Sequence, residues 1–289
     1  MSKLREIKVR IRGIREIEGI TNAMKLVAVV RLKRIEKRTL KGRSYTEKLR
    51  DLLLRVQRDK FSISKSRSNN TEGFTLLNPR QGGEFAKANY LTGLIIVTSQ
   101  SGLCGSFNTR IIQRSEHFLE SRSSQLIVLG KKGIHYFKRK GYQIVKEYPQ
   151  PSREDLERVS QEITRDVLSF YSKNKWREIY LIYYKLKPGL LDAIVPVRLL
   201  PLEDNLEQKG APKEEFLFEP AREEIIDDLL PECISRQIQQ ALLESRCAEE
   251  LERIKAMEYA ADNANKLVEE LTQQFNRARQ TAITREIYG

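Results

Sequence analysis

The sequence predicts an α/β fold with a long α-helical coiled coil: N- and C-terminal helices that pair antiparallel, with a largely parallel α/β domain inserted between them. Three observations carry that expectation. Both ends are long and helix-compatible, the middle alternates apolar runs with helical segments, and the two ends carry opposite charge. Residues 1–60 hold 19 Lys/Arg against 7 Asp/Glu (+12), residues 61–215 hold 24 against 17 (+7), and residues 216–289 hold 9 against 15 (−6). Ends of opposite sign are suited to lie against each other, and a basic face also suits anionic partners.

At the N-terminus, proline is absent from Met1 to Asn78, and apolar residues recur at Leu4, Ile7, Ile11, Ile14, Ile17, Ile20, Met24, Val27 and Val30. Steps of three and four return side chains to one side of a helix. The mean step of about 3.25 residues is shorter than a helical turn, so the stripe is expected to drift and to meet more than one partner. Residues 61–89, rich in Ser, Asn, Gly and Gln, read as a loop or linker.

Tyr90–Ser99, Gln125–Gly130 and Glu178–Tyr184 are near-continuous apolar runs, as expected of strands covered on both faces. Gln143–Glu147 and Ala193–Leu200 are further strand candidates. Helical segments fall at Ser106–Ser121, Lys131–Lys140 and Ser152–Lys173, which gives the alternation of an α/β domain. From Glu232 to Tyr288 there is neither Pro nor Gly. A wholly helical run of that length extends about 85 Å. Its apolar positions are often alanine, among them Ala260, Ala264, Ala278 and Ala282, with Leu267, Leu271 and Phe275 between them. Small side chains allow a neighbouring helix to approach closely. The expected organisation is an N-terminal coiled-coil helix over 1–60, a linker and α/β domain over 61–215, and a C-terminal coiled-coil helix over 216–289.

Composition excludes several classes. No apolar run approaches the ~18 residues of a membrane span, and the basic N-terminus lacks the apolar core of a signal peptide. Cys104, Cys233 and Cys247 are odd in number and form no CxxC, which argues for a reducing compartment and against a zinc site. His117 and His135 are the only imidazoles. No metal, no cofactor and no histidine-based triad is expected.

Four segments hold candidate chemistry. Gly102-Leu103-Cys104-Gly105 follows a strand and leads into a helix, where α/β proteins often hold phosphates. It lacks the third glycine of a dinucleotide fingerprint, and the chain has no phosphate loop, so a structural turn with a buried Cys104 is favoured. Glu223, Glu224, Asp227 and Asp228 read as acids complementing a helix N-terminus, and Glu249, Glu250 and Glu252 as a solvated or partner-facing surface. The basic run Arg31, Lys33, Arg34, Lys37 and Arg38 has no interleaved aromatics, which favours an acidic protein partner over nucleic acid. Finally, Phe275–Gln280 sets an aromatic, two amides and two guanidiniums near the end of an alanine-rich helix, where directional hydrogen bonds can grip and release a partner.

Three stretches carry a resemblance. Ile20–Ala28 (ITNAMKLVA) is similar to the ITxAMxMVA signature of F-type ATP synthase gamma subunits, and Ser99–Asn108 (SQSGLCGSFN) to their SDRGLCGxxN turn. Ala256-Met257, Asp262-Asn263-Ala264, Asn276–Gln280 and Ala282-Ile283-Thr284 are similar to the family's AMxxATDNA…NxARQxxIT. The resemblance implies an antiparallel coiled coil carrying a Rossmann-like domain, and a rotor shaft without a catalytic site. It implies as partners the alpha and beta subunits of the catalytic hexamer, the epsilon subunit and the membrane c ring, with no nucleic acid. Membrane association is expected through the complex only, at the cytoplasmic face of the bacterial inner membrane. Met24 and Lys25, with Arg279, Gln280 and Thr284, match the family's rotor–stator contacts. Phe216, Phe218 and Glu219 match its foot at the c ring and epsilon subunit, with phenylalanine at both of the family's tyrosine positions. Gln100 and Ser101 stand where the family has Asp-Arg, and the chain stops at Gly289 where many relatives continue, so less contact is expected at the tip.

Overall fold

The computed structural model describes residues 2–63, 91–152, 154–173, 175–187, 190–202 and 222–288. In chain order the elements are α1 (Ser2–Ile63), β1 (Leu91–Val97), α2 (Phe107–Leu119), β2 (Ser124–Leu129), α3 (Lys131–Arg139), β3 (Ile144–Tyr148), α4 (Leu156–Ser172), β4 (Trp176–Lys187), β5 (Leu190–Leu200) and α5 (Arg222–Tyr288). They form two compact units. The first comprises Met1–Arg34, Leu103–Gly105 and Glu249–Gly289; the second comprises Ile35–Gly102 and Ser106–Ala248.

The second unit is built on a five-stranded sheet in the order β3-β2-β1-β4-β5. β3, β2, β1 and β4 run parallel, and β5 returns antiparallel along β4. The chain winds outward from β1 to β3, then α4 carries it back to β4 on the other side of β1, which is a doubly wound order. Ile95, Val97, Ile127, Leu129, Ile179, Leu181 and Tyr183 point to one face. They pack there with Leu156, Val159 and Ile163 of α4, Leu49 and Leu53 of α1, and Ile234 and Ile238 of α5. The alternate residues Leu94, Ile96, Leu126 and Val128 are equally buried, on the face that α2 and α3 cover. Burial on both faces explains why these strands read as unbroken apolar runs. At Gly93 the Trp176 ring lies so close that a Cβ would come within 2.3 Å of it, so no other residue fits there.

One helix boundary differs from the sequence expectation. α1 continues through Ile63, and the remainder of the expected linker, 64–89, lies outside the described residues. α5 begins at Arg222, so that Glu223, Glu224, Asp227 and Asp228 stand in its first two turns, and it contains Pro231. Proline in a helix interior costs about 3 kcal/mol. Here Leu230, Cys233 and Ile234 are all buried around it, and the burial of such side chains at about 1.5–3 kcal/mol each offsets that cost.

Candidate functional site

In the first unit, α1 and α5 pair along a narrow seam. Every position of the series Leu4, Ile7, Ile11, Ile14, Glu18, Thr21, Lys25, Ala28 and Leu32 is buried or half-buried. The steps alternate three and four, the 3.5-residue repeat of a coiled coil. The same alternation governs α1 in the second unit, through Ile35, Thr39, Gly42, Thr46, Leu49 and Leu53. The expected drift is therefore absent. It arose from counting Ile17, Ile20, Val27 and Val30 as inward, whereas the inward positions beside them are Glu18, Thr21, Lys25 and Ala28. On α5 the matching seam runs through Arg253, Met257, Ala261, Ala264, Val268, Leu271, Phe275, Ala278 and Ala282; Leu267 falls outside it and is exposed.

Of the polar side chains in the α1 seam, Glu18 and Lys25 find partners across it, while the Thr21 hydroxyl donates to the Glu18 carbonyl of its own helix at 2.9 Å. Lys25 Nζ lies 2.6 Å from Glu258 Oε1. The Asn265 amide nitrogen, turned toward α1, reaches the Glu18 carboxylate oxygens at 3.1 and 3.0 Å. Arg31 Nη1 lies 3.9 Å from Glu250 Oε1. As the α1 number rises from 18 to 25 to 31, the α5 number falls from 265 to 258 to 250, so the pairing is antiparallel. Lys25, matched to the rotor–stator region, is thus tied to α5 from its half-buried place.

Glu249 and Glu250 are buried rather than solvated, which corrects the surface reading. Both accept from Arg253, at 2.6 Å and 2.7 Å. Burial pulls the Arg253 pKa down, but the two carboxylates outweigh it and the net shift is upward. The spacing of Glu249 and Glu250 from Arg253, i to i+4 and i to i+3, was the legible signal for this cluster.

Between Glu16 and Val30 the outward face of α1 is largely apolar, whereas exposed Lys and Arg dominate on either side of that stretch. Ile17, Ile20, Val27 and Val30 are 55, 60, 49 and 50% exposed. Ile20 and Val27 stand seven residues apart and share one side of the helix, roughly opposite Glu18 and Lys25. Met24 is half-buried. On α5, Arg279, Gln280 and Thr284 are exposed, with the Thr284 hydroxyl donating to the Gln280 carbonyl at 2.9 Å. Ile283, Ile287 and Tyr288 are exposed beside them. Phe216, Phe218 and Glu219 lie outside the described residues.

The Gly102–Gly105 turn is a packing feature. Cys104 is buried, Leu103 has φ 61° with an exposed side chain, and Gly105 has φ 53°. A Cβ on Gly105 would meet the Glu252 carbonyl at 3.6 Å and the Glu252 carboxylate at 3.7 Å. A carboxylate against the turn is the wrong charge for a phosphate cradle. At the entry to the turn, Gln100 N donates to Gln150 Oε1 at 3.1 Å and Gln150 N to Gln100 Oε1 at 3.3 Å. A groove of about 360 Å³ lies elsewhere, between α2 and the β4–β5 edge, lined by Arg110, Gln113, Arg114, His117, Tyr184 and Ile194. Those six residues include no carboxylate or thiol, and their one imidazole, His117, has its Nδ1 3.4 Å from Glu120 Oε2. Among the described residues no group of three or more His, Cys, Asp or Glu is placed to hold a metal ion, and no helix is long and apolar enough to cross a membrane.

A family model described as ATP synthase matches residues 3–288. The ATP synthase gamma chain of Pelotomaculum thermopropionicum is 33% identical over 289 residues, 99% of this chain and 96% of that one. That of Desulfitobacterium hafniense is 32% identical with the same coverage. Among solved structures, the central stalk and c ring of Tetrahymena thermophila mitochondrial ATP synthase includes a chain 23% identical, with TM-score 0.60, over 83% of this chain and 99% of that one. The rotor of the Euglena gracilis enzyme has one 16% identical, with TM-score 0.64, over 98% and 99%.

Proposed function

Because the chain belongs to the ATP synthase gamma chain family, we propose that its paired terminal helices turn inside a ring of alpha and beta subunits and hand ion-driven rotation to the catalytic sites there. It is the non-catalytic central shaft of the F-type enzyme; the catalytic sites belong to the beta subunits. The observation that carries the proposal is the outward face of α1. A helix already paired along one seam keeps Ile20, Val27 and Val30 exposed on its other side, with Ile17 exposed on the flank of the seam. Burying one such side chain fully is worth about 1.5–3 kcal/mol, so this face gains from an encircling partner.

Met24 and Lys25 on α1, and Arg279, Gln280 and Thr284 on α5, are the proposed contacts with the alpha–beta ring. The exposure of the three α5 residues supports this. Lys25 acts there through its ion pair with Glu258, which fixes the ammonium at the helix surface. Phe216, Phe218 and Glu219 are the proposed foot toward the c ring and epsilon subunit. The proposed division of labour is a shaft from 1–60 and 216–289 and a carrying domain from 61–215. The proposed location is the cytoplasmic face of the bacterial inner membrane, peripheral and through the complex, which the bacterial relatives support.

Reconstitution tests the proposal. An alpha–beta hexamer assembled with this chain is expected to rotate a bead attached to it during ATP hydrolysis, while the isolated chain hydrolyses nothing. Equal coupling of ion flow to ATP synthesis in complexes assembled without the chain would refute it.

A further inference from the structure

In the second unit, the N–H and C=O of one residue of the sheet are held by side chains from the two terminal helices in place of a neighbouring strand. β4 and β5 pair through Lys185↔Ala193, the register then shifts, and pairing resumes at Lys187↔Leu190. β1 has already ended, its last partner on β4 being Ile182. Leu186 falls in the break. Its N–H donates to Glu244 Oε2 of α5 at 3.1 Å, and its carbonyl accepts from Arg43 Nη2 of α1 at 3.0 Å. The N–H and C=O of one strand residue point the same way, so carboxylate and guanidinium together imitate the edge of a strand.

The two side chains also meet each other. Arg43 Nε lies 4.0 Å from Glu244 Oε1, with the Glu244 side chain only 3% exposed. Glu244 Oε1 accepts from Gln240 Nε2 at 2.9 Å, and the same amide donates to the Thr39 carbonyl of α1 at 3.2 Å. A Cβ on Gly42 would stand 2.8 Å from Gln240 Oε1, so α1 passes close to this amide. The Tyr183 phenol also faces the cluster; burial first, and then Glu244, push its pKa up, while Arg43 opposes them. Three elements are therefore closed into one hydrogen-bonded circuit.

Apolar contacts around the circuit, such as Leu49, Leu53, Ile234 and Ile238, hold the helices to the sheet without fixing an angle, because the hydrophobic effect is non-directional. Hydrogen bonds to a fixed peptide do fix one. Burying a carboxylate is costly unless it is paired and bonded, and the best-attested return for such a group is a specified register.

We propose that Glu244 and Arg43 are positioning residues that key the shaft to its domain: clamped on the N–H and C=O of Leu186, they set the rotational register at which torque passes between helices and sheet. The proposal rests on the shaft reading above. It implies a polarity, since the acceptor must face the Leu186 N–H and the donor its C=O.

The test uses inverted membrane vesicles carrying the complete ATP synthase, measuring ATP hydrolysis, ATP-driven ion pumping and the amount of assembled complex. Glu244→Ala is expected to lower ions pumped per ATP by about fivefold, the low end of typical coupling between distant sites, with hydrolysis little changed. Glu244→Gln, which keeps an acceptor for the Leu186 N–H, is expected to fall between. The double exchange Arg43→Glu with Glu244→Arg restores an ion pair but reverses both bonds to Leu186, and is expected to leave coupling impaired. A normal pumping ratio in assembled Glu244→Ala, or restoration by the exchange, overturns the key. Where Glu244→Ala does not assemble, the near-isosteric Glu244→Gln decides. Its equality with the unsubstituted complex, or its own failure to assemble, also overturns the proposal, the latter by showing a folding role. The shaft reading fails separately, if vesicles lacking this chain still couple hydrolysis to pumping.

Discussion

The helix α5 lives in two environments, and the contrast separates what holds the protein together from what it offers to others. In the second unit, from Leu229 to Ala248, no residue of α5 is exposed. In the first unit, from Lys255 onward, most are, and burial is confined to one seam. One stretch is a core element wrapped by sheet, α4 and α1; the other is half of a two-helix rope with an open outer surface. Stability is thus concentrated in the second unit, and the first keeps free surface at the expense of buried area.

The sharpest way to break this contrast is to damage the second unit. Ile238→Ala, at a fully buried site, is expected to cost about 2–5 kcal/mol, read by denaturant unfolding. In the first unit, the buried cluster is expected to be the exception to mildness. Arg253→Leu leaves Glu249 and Glu250 buried without their guanidinium, a loss of about 3 kcal/mol or more by the same measurement. The ion pair Lys25–Glu258 is about a third to half exposed, so Lys25→Ala should shift unfolding by no more than about 1 kcal/mol.

Smaller still is the expected effect of Ile20→Ser with Val27→Ser. Both side chains stand on the outward face, and unfolding of the isolated chain should move by about 0.5 kcal/mol or less, while affinity for the alpha–beta ring drops. Equal losses in both measurements would show that this face is structural. The last effect appears only in alkali. Tyr183 is buried and its folded pKa lies above the unfolded value of 10.0. A raised folded pKa gives stability that is complete below pH ~10 and is lost as pH rises through the folded value, so Tyr183→Phe should flatten the decline above pH ~10.

Much of this arrangement was legible in the sequence. The strands were, because a strand covered on both faces has no polar alternation to blur it: Leu94–Val97 and Leu126–Leu129 are uninterrupted and fully buried. The antiparallel pairing was, from opposing charge and from the AMxxATDNA-like and ITxAMxMVA-like stretches. The seam of α1 was not. Its inward positions at 18, 21 and 25 are Glu, Thr and Lys, and the partners of Glu18 and Lys25, Asn265 and Glu258, are more than 200 residues away, while isoleucine and valine stand outside. Hydrophobic periodicity finds an interface only where both sides of a helix are not apolar. The start of α5 was legible in the acids Glu223, Glu224, Asp227 and Asp228, although Pro231 lies inside the helix. The buried state of Glu244 and Glu249 was hidden because a carboxylate reads as surface until its donor is located.

The 3.5-residue seam of the first unit has one more consequence. A straight helix turns slightly too slowly to keep such a repeat facing its partner, so the two strands must coil around each other in a left-handed sense. A rope with a hand is not indifferent to the direction in which it is wound. Twist added in its own sense drives Ala28, Met257 and Ala261 into tighter contact, where close-packed side chains resist compression. Twist in the other sense opens the seam and is opposed by the loss of apolar burial there and by the cross-links at Glu18, Lys25 and Arg31. Winding is therefore resisted by packing, and unwinding by burial and ion pairs.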